Sequence, residues 1–353
     1  MMPLTLQDRL HILANLGEYL RRDDDELLQA HLQRTAYNNG WLTVDNYRRA
    51  IHAIATEWLH KNALSAWVSN YPALEENSDL RKSKKIGLVL AGNIPMVGFH
   101  DIISVFLSGH QAQIKLSDKD PYVIPYLIKV MAKLGSDLAK DEAWTTHYFQ
   151  LTDKLTDFEA VIATGSNNSA RYFESYFGRY PHIIRRNRNG VAVLSGEETS
   201  EELEALGNDI FTYFGLGCRN VAKLYVPTDY DFEPMLEVFH AWRQLQNHPK
   251  YKNNFDYHYA LLTVNREHFL SNGSIILRKD KALLSHIAGL YYEHYTDLAD
   301  VQIELHQRRE EIQLIAAKPG LLSLDTKNFG EAQQPGLMDY ADGVDTMNWL
   351  VGL

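Results

Sequence analysis

The chain has 353 residues, a formal net charge of -10, 45% hydrophobic and 23% charged residues, and a single cysteine. The acidic balance argues against nucleic acid as the main partner, since phosphate contacts need a basic surface. One cysteine excludes an internal disulfide and fits a reducing cytoplasm. No window approaches 18 uninterrupted apolar residues, so no membrane span is expected. The start, Met1 to Arg9, has no basic region followed by an apolar one and does not read as a signal peptide. The length suggests two domains or one large one, and the composition is ordinary for a globular protein with a real core.

Residues 4 to about 78 read as helices. Leu6, Leu10, Leu13, Leu16 and Leu20 form one apolar stripe, and Ile51, Ile54, Trp58 and Leu59 another. We expect a helical layer over residues 1–80, packed on the rest of the chain and without a site of its own. The pattern changes after the basic run Arg81 to Lys85. The apolar run Ile86 to Ala91 reads as a buried parallel strand ending in Gly92-Asn93-Ile94-Pro95, followed by a helix from about Val97 to Leu107. A second strand, Ala112 to Leu116, precedes Ser117 to Pro121 and a helix reaching about Leu134. A third, Ala160 to Ala163, runs into Thr164-Gly165-Ser166 and a helix from Ala170 to Tyr176. Strands alternating with helices predict a parallel sheet, here a nucleotide-binding domain over 81–190. Asn93, Lys115 and Gly165-Ser166 all follow strand ends, the edge at which open α/β sheets bind ligands. Each alone has an ordinary reading as turn, solvated lysine or helix start; their agreement is the signal. No Gly-x-Gly-x-x-Gly follows these strands.

Short strands, Ile183-Ile184 and Val191 to Leu194, flank Arg185 to Gly190, and the domain boundary is expected near Gly190. Gly196 to Ser200 opens a helix whose apolar positions are Leu203, Leu206, Ile210 and Phe214. The apolar strand Val221 to Val226 then stops at Pro227, and a helix is expected over about Phe232 to Leu245. Cys218 lies between helix and strand, preceded by Gly215 and Gly217, which allow a sharp turn. A lone cysteine is ordinarily a small buried hydrophobe; the glycine-bracketed loop favours a nucleophile instead. Cys218 falls in a catalytic domain over 191–353 that ends in a tail. Fifteen histidines are scattered; His100, His110 and His258 show no ligand spacing, and no metal site is expected.

Together these residues resemble the aldehyde dehydrogenase superfamily. Asn93-Ile94-Pro95 is similar to its Asn-Phe-Pro, and Lys115, Asp118 and Pro121 to its Lys-x-x-Glu-x-x-Pro. Thr164-Gly165-Ser166 is similar to its Thr-Gly-Ser, and Gly217-Cys218 sits where its catalytic cysteine should. Phe214 to Pro227 and the tail Phe329 to Met347 most resemble the fatty acyl-CoA reductases, the branch that includes the bioluminescence reductase component. The resemblance covers about residues 84 to 350. It implies an α/β, aldehyde-dehydrogenase-like fold with a parallel-sheet cofactor domain and an α/β catalytic domain. It also implies reduction of a fatty acyl-CoA to the aldehyde with NADPH, or NADH, through an acyl thioester on Cys218. Asn93 and the Cys218 backbone N–H would be the oxyanion donors, and Gly165 and Ser166 would face the diphosphate. Lys115 would reach the adenosine ribose or its 2′-phosphate; Asp118 would favour a free ribose hydroxyl, whereas Lys115 and Lys119 could accept a phosphate. An acyl-phosphate or aldehyde dehydrogenase of the same superfamily, and a silent acyl-binding scaffold, are the rival readings; self-association is left open.

Two departures matter. No carboxylate occurs between Glu174 and Glu197, where hydrolytic aldehyde dehydrogenases place a glutamate, so no obvious base would activate water. The glycine usual shortly after Thr-Gly-Ser is replaced by Ser169, Ala170 and Arg171, so the diphosphate would be held differently.

Overall fold

The computed structural model describes residues 4–76, 82–140 and 142–353; Arg81 of the basic run and Met1 to Pro3 lie outside them. The chain forms two compact units. The first comprises residues 1–186 and 336–353, and the second 187–335. The helical layer therefore belongs to the first unit, and the tail divides, its last part returning there.

In the first unit, β1 (Lys85–Val89), β2 (Gln111–Lys115), β3 (Phe149–Leu151), β4 (Ala160–Thr164) and β5 (His182–Arg185) form a five-stranded sheet in the order β3-β2-β1-β4-β5. Every pairing is parallel. Chain order runs outward from β1 to β3, then restarts on the other side at β4. β1 and β4 thus flank a topological switch point. Ile86, Leu88, Ile114, Val161 and Ile162 are buried, as strands covered on both faces require.

The helical layer is real. Leu6–Arg22 opens with a Thr5/Asp8 capping box, and the stripe Leu6, Leu10, Leu13, Leu16 and Leu20 is buried. Arg9 ties this helix down, donating from Nη1 to the Leu4 carbonyl at 2.6 Å and from Nη2 to the Leu107 carbonyl at 3.2 Å. The returning segment ends in the helix Thr346–Val351. Arg185, at the end of β5, makes a bidentate bond to Asp101 at 2.5 and 2.8 Å and donates to Thr346 Oγ1 at 3.0 Å. Arg185 and Asp101 are 7% and 2% exposed, so each is the other's compensation for lost water. Trp67 Nε1 donates to Tyr340 Oη at 2.6 Å, and Tyr71 Oη donates to Asp345 at 2.9 Å.

In the second unit, β6 (Asn189–Val193), β7 (Val221–Pro227), β8 (Leu270–Ser271), β9 (Ile276–Lys279), β10 (Gly289–Tyr295) and β11 (Ile312–Ala317) form a six-stranded sheet in the order β11-β6-β7-β10-β9-β8. Only the β8–β9 pair is antiparallel among the described pairings. One core gathers Leu203, Leu206, Ile210, Leu224, Val226, Met235 and Phe239; another gathers Val191, Val193, Tyr225, Val301 and Leu305.

The division between units falls after Arg186, near Gly190, because β5 pairs with β4 while β6 pairs with β7 and β11. The structure departs from the sequence reading in two places. The helix Ser200–Phe211 ends before Phe214, which lies beyond a kink at φ 59. The helix after Tyr230 spans Glu233–Phe239 and tightens into a 3-10 turn, His240–Asn247.

Candidate active site

In the first unit, register aligns the predicted cofactor residues. Val89 lies opposite both Lys115 of β2 and Ala163 of β4. The loops after β1, β2 and β4 therefore leave the sheet side by side, at the edge where α/β sheets hold ligands. Asn93 is exposed on the first loop. A Cβ at Gly92 would come within 2.8 Å of Ser117 Oγ, so a glycine is needed for the loops after β1 and β2 to meet. Lys115 is half-buried and its Nζ donates to the Asp153 carbonyl at 2.9 Å. Asp118 is exposed, its carbonyl accepting from Asn38 Nδ2 at 3.1 Å. Ser166 caps the helix Asn167–Phe177, its Oγ accepting from Ser169 N–H at 3.2 Å. Gly165 packs so closely on that helix that a Cβ would reach Ser169 Cβ at 2.8 Å. This helix start lies beside a tight glycine at a switch point. Beneath the second loop is a residue the sequence reading missed. Asp120 is buried, pairs with Tyr47 Oη, and has its carboxyl pushed up to about 6 by burial.

Cys218 lies in the second unit, on the turn between the helix Ser200–Phe211 and β7. It is half-buried, not sealed in a core. Three successive residues, Tyr213, Phe214 and Gly215, hold φ of 55, 59 and 73 and turn the chain sharply out of the helix. Phe214 stays buried by leaning on His248, ring centres 4.4 Å apart. Gly217 to Asn220 then close a β-turn: Asn220 N–H donates to the Gly217 carbonyl at 3.1 Å, with Cys218 and Arg219 at its corners. Asn220 Oδ1 accepts from Gly217 N–H at 2.8 Å. Gly190 of β6 supports this turn from below. Its N–H donates to the Asn220 carbonyl at 2.9 Å, and a Cβ there would sit 2.9 Å from the carbonyl oxygens of Arg219 and Asn220.

Arg219 does not wait idle beside the sulfur. Its Nε donates to the Ala332 carbonyl at 2.5 Å. Gly330 and Ala332 in turn donate their N–H groups to the carboxylate of Asp209, at 2.7 and 3.0 Å. Asp209 is fully buried, and burial raises its carboxyl to about 6 despite those two donors. Asp209 and Asn220 also escaped the sequence reading. The available signal was an aspartate three residues after Leu206, on the buried face of an amphipathic helix.

The family described as acyl-CoA reductase (LuxC) matches residues 18–253, a span that includes all of these loops. The chain belongs to that family. Among curated relatives, long-chain acyl-protein thioester reductase 2 of Photobacterium leiognathi is 22% identical over 200 residues, covering 53% of this chain and 41% of its own. Long-chain acyl-protein thioester reductase of Aliivibrio fischeri is 24% identical over 208 residues, covering 55% and 42%. The chain thus spans about two-fifths of the length of the curated relatives it matches. Its fold is that of the solved aldehyde dehydrogenases. Glyceraldehyde-3-phosphate dehydrogenase GapN of Methanocaldococcus jannaschii, solved with NADP, superposes with a TM-score of 0.61 at 15% identity, covering 89% of this chain and 76% of its own.

Proposed function

We propose that this chain reduces a fatty acyl thioester to the aldehyde through an acyl thioester on Cys218. The observation that carries the reading is the half-buried lone cysteine at the corner of a locked turn, in a chain of the acyl-CoA reductase family with an aldehyde-dehydrogenase fold. The family's description speaks of acyl-CoA, and the relatives' names of acyl-protein thioesters. Both offer the same carbonyl; acyl-CoA is the substrate we propose.

The Cys218 thiolate adds to the thioester carbonyl, and CoA leaves as its thiolate with the electron pair of the broken C–S bond. The oxyanion formed on the way would accept from the Cys218 N–H. Losing one such donor costs on the order of 10²–10³ in rate. A reduced nicotinamide, when bound, supplies hydride. Cys218 departs as the thiolate when the aldehyde forms. The stretch free of carboxylates between Glu174 and Glu197 leaves no obvious base there to send water to the acyl-cysteine, which suits reduction over hydrolysis.

For the cofactor, Ser166 and Gly165 would hold the diphosphate and Lys115 the 2′ side of the adenosine ribose, with Asp118 beside it. NADPH is the proposed donor, with NADH as the alternative. GapN, solved with NADP, shares the fold that supports a nicotinamide site here.

Incubation with labelled acyl-CoA, followed by hydroxylamine, tests the reading. We expect a hydroxylamine-labile label on Cys218 that is lost on addition of NADPH with release of aldehyde. Tight acyl-CoA binding with no label would leave a binding scaffold and end the covalent mechanism.

A further inference from the structure

The mechanism gives Cys218 its chemistry but does not explain what holds its sulfur in place. Asn220 is 2% exposed, and both ends of its amide are used. Oδ1 accepts from Gly217 N–H, immediately before the cysteine, at 2.8 Å. Nδ2 donates towards the carbonyls of Asp209, Ile210 and Thr212, at 2.9, 3.2 and 2.8 Å. Those carbonyls belong to the end of the helix Ser200–Phe211 and the residue after it, groups a helix leaves without internal partners. One side chain therefore joins the helix end to the turn that carries the nucleophile.

Few residue types could do this. The position needs an acceptor for one N–H and a two-hydrogen donor for a cluster of carbonyls, at the length of an Asx side chain. Aspartate would face those carbonyls with negative charge, and serine is too short to span both sides. A second tie comes from the opposite direction. Arg219 Nε holds the Ala332 carbonyl, and Asp209 holds the N–H groups of Gly330 and Ala332. Cys218 is thus fixed between residues on either side, neither of which needs to touch a substrate.

We propose that Asn220 is the positioning residue of the Cys218 turn, fixing the nucleophile's backbone against the end of the helix Ser200–Phe211. This rests on Cys218 being the acylated residue. A displacement of about 1 Å in a reacting group can cost on the order of 10²-fold in rate, so the loss should appear in acylation.

The test uses the full chain and single-turnover transfer from labelled acyl-CoA at several concentrations, with iodoacetamide alkylation of Cys218 followed against pH alongside. For Asn220→Ala, the acylation rate at saturation should fall on the order of 10²-fold, with the half-saturating concentration little changed. Alkylation, which needs a thiolate but no fixed approach, should change only a few-fold at any pH. Acylation at the wild-type rate, measured well below the melting transition, would overturn the proposal, as would equal losses in acylation and alkylation. If Asn220→Ala does not fold, Asn220→Asp keeps the size and the acceptor for Gly217 and carries the same test. A wild-type chain that takes no label on Cys218 would remove the underlying reading; a labelled wild type with an equally fast variant would remove only the role of Asn220.

Discussion

At the ends of β1, β2 and β4 the candidate cofactor residues stand on loops that strand register sets side by side. At Cys218 strand pairing contributes one bond, from Gly190 N–H to the Asn220 carbonyl, and side chains add the rest: Asn220 from within the turn, and Asp209 from the preceding helix, which holds the 330–332 segment from far along the chain. A binding edge can be built by topology alone, because any parallel sheet with a switch point presents its loops together. A nucleophile must be placed to a fraction of an ångström, and register does not specify that closely. The first region should therefore tolerate changes in its loops better than the second.

The largest effect expected is at the sulfur. Cys218→Ser replaces a thiol with an alcohol that hardly ionises at neutral pH, and labelling from acyl-CoA should fall to background while the protein melts normally. A folded variant that still reduced acyl-CoA at the wild-type rate would return Cys218 to a packing role and dissolve the contrast. The framework beneath the cofactor edge breaks differently. Arg185→Ala strands Asp101 as a buried, unpaired carboxylate and should cost about 3–5 kcal/mol of stability, read by thermal or urea melting; a loss below about 1 kcal/mol would show that water reaches the pair.

The smallest effect carries a sign. Asp120 titrates at about 6 in the folded chain against an ordinary 3.8, so the native state keeps its proton more tightly. Its contribution to stability is fully present below about 4 and declines as pH rises through 6. Asp120→Asn, neutral at every pH, should therefore stabilise the protein by about 1–3 kcal/mol at pH 8 and hardly at all at pH 4. Melting temperatures at the two pH values check this; equal shifts at both would mean that the Tyr47 contact, not the charge, governs the site.

Much of the first unit was legible because its strands are short apolar runs ending in glycine, asparagine or serine. The Lys85–Val89, Gln111–Lys115 and Ala160–Thr164 strands fall within a residue or two of their expected places. The division was expected near Gly190 and falls after Arg186, but the pairing behind it was not legible. β5 and β6 are separated by Arg186, Asn187 and Arg188 alone and look like neighbours, yet each pairs with strands of a different sheet. Partner choice of that kind is a long-range outcome that no local pattern encodes. The Cys218 loop was legible as a loop because glycines precede it. Its anchors were not, since an aspartate on a helix and an asparagine after a turn are ordinarily solvated. Only burial at 0% and 2% distinguishes Asp209 and Asn220. Phe214 misled for a related reason: it keeps helical spacing in sequence and stays buried, but by leaning on His248 after the helix has ended.

The bond from Arg185 to Thr346 spans 161 residues of sequence, and the whole second unit lies between its two ends. During synthesis, β5 leaves the ribosome long before its last partner exists. Through that interval Arg185 and Asp101 can meet, but the helix Thr346–Val351 that completes their enclosure has yet to be translated. The intervening sheet can form first, as domains generally fold as units while the chain emerges. The older unit then closes around a segment made after the second unit, so a ribosome paused within residues 187–335 would carry a first unit with part of its apolar surface still open to chaperones.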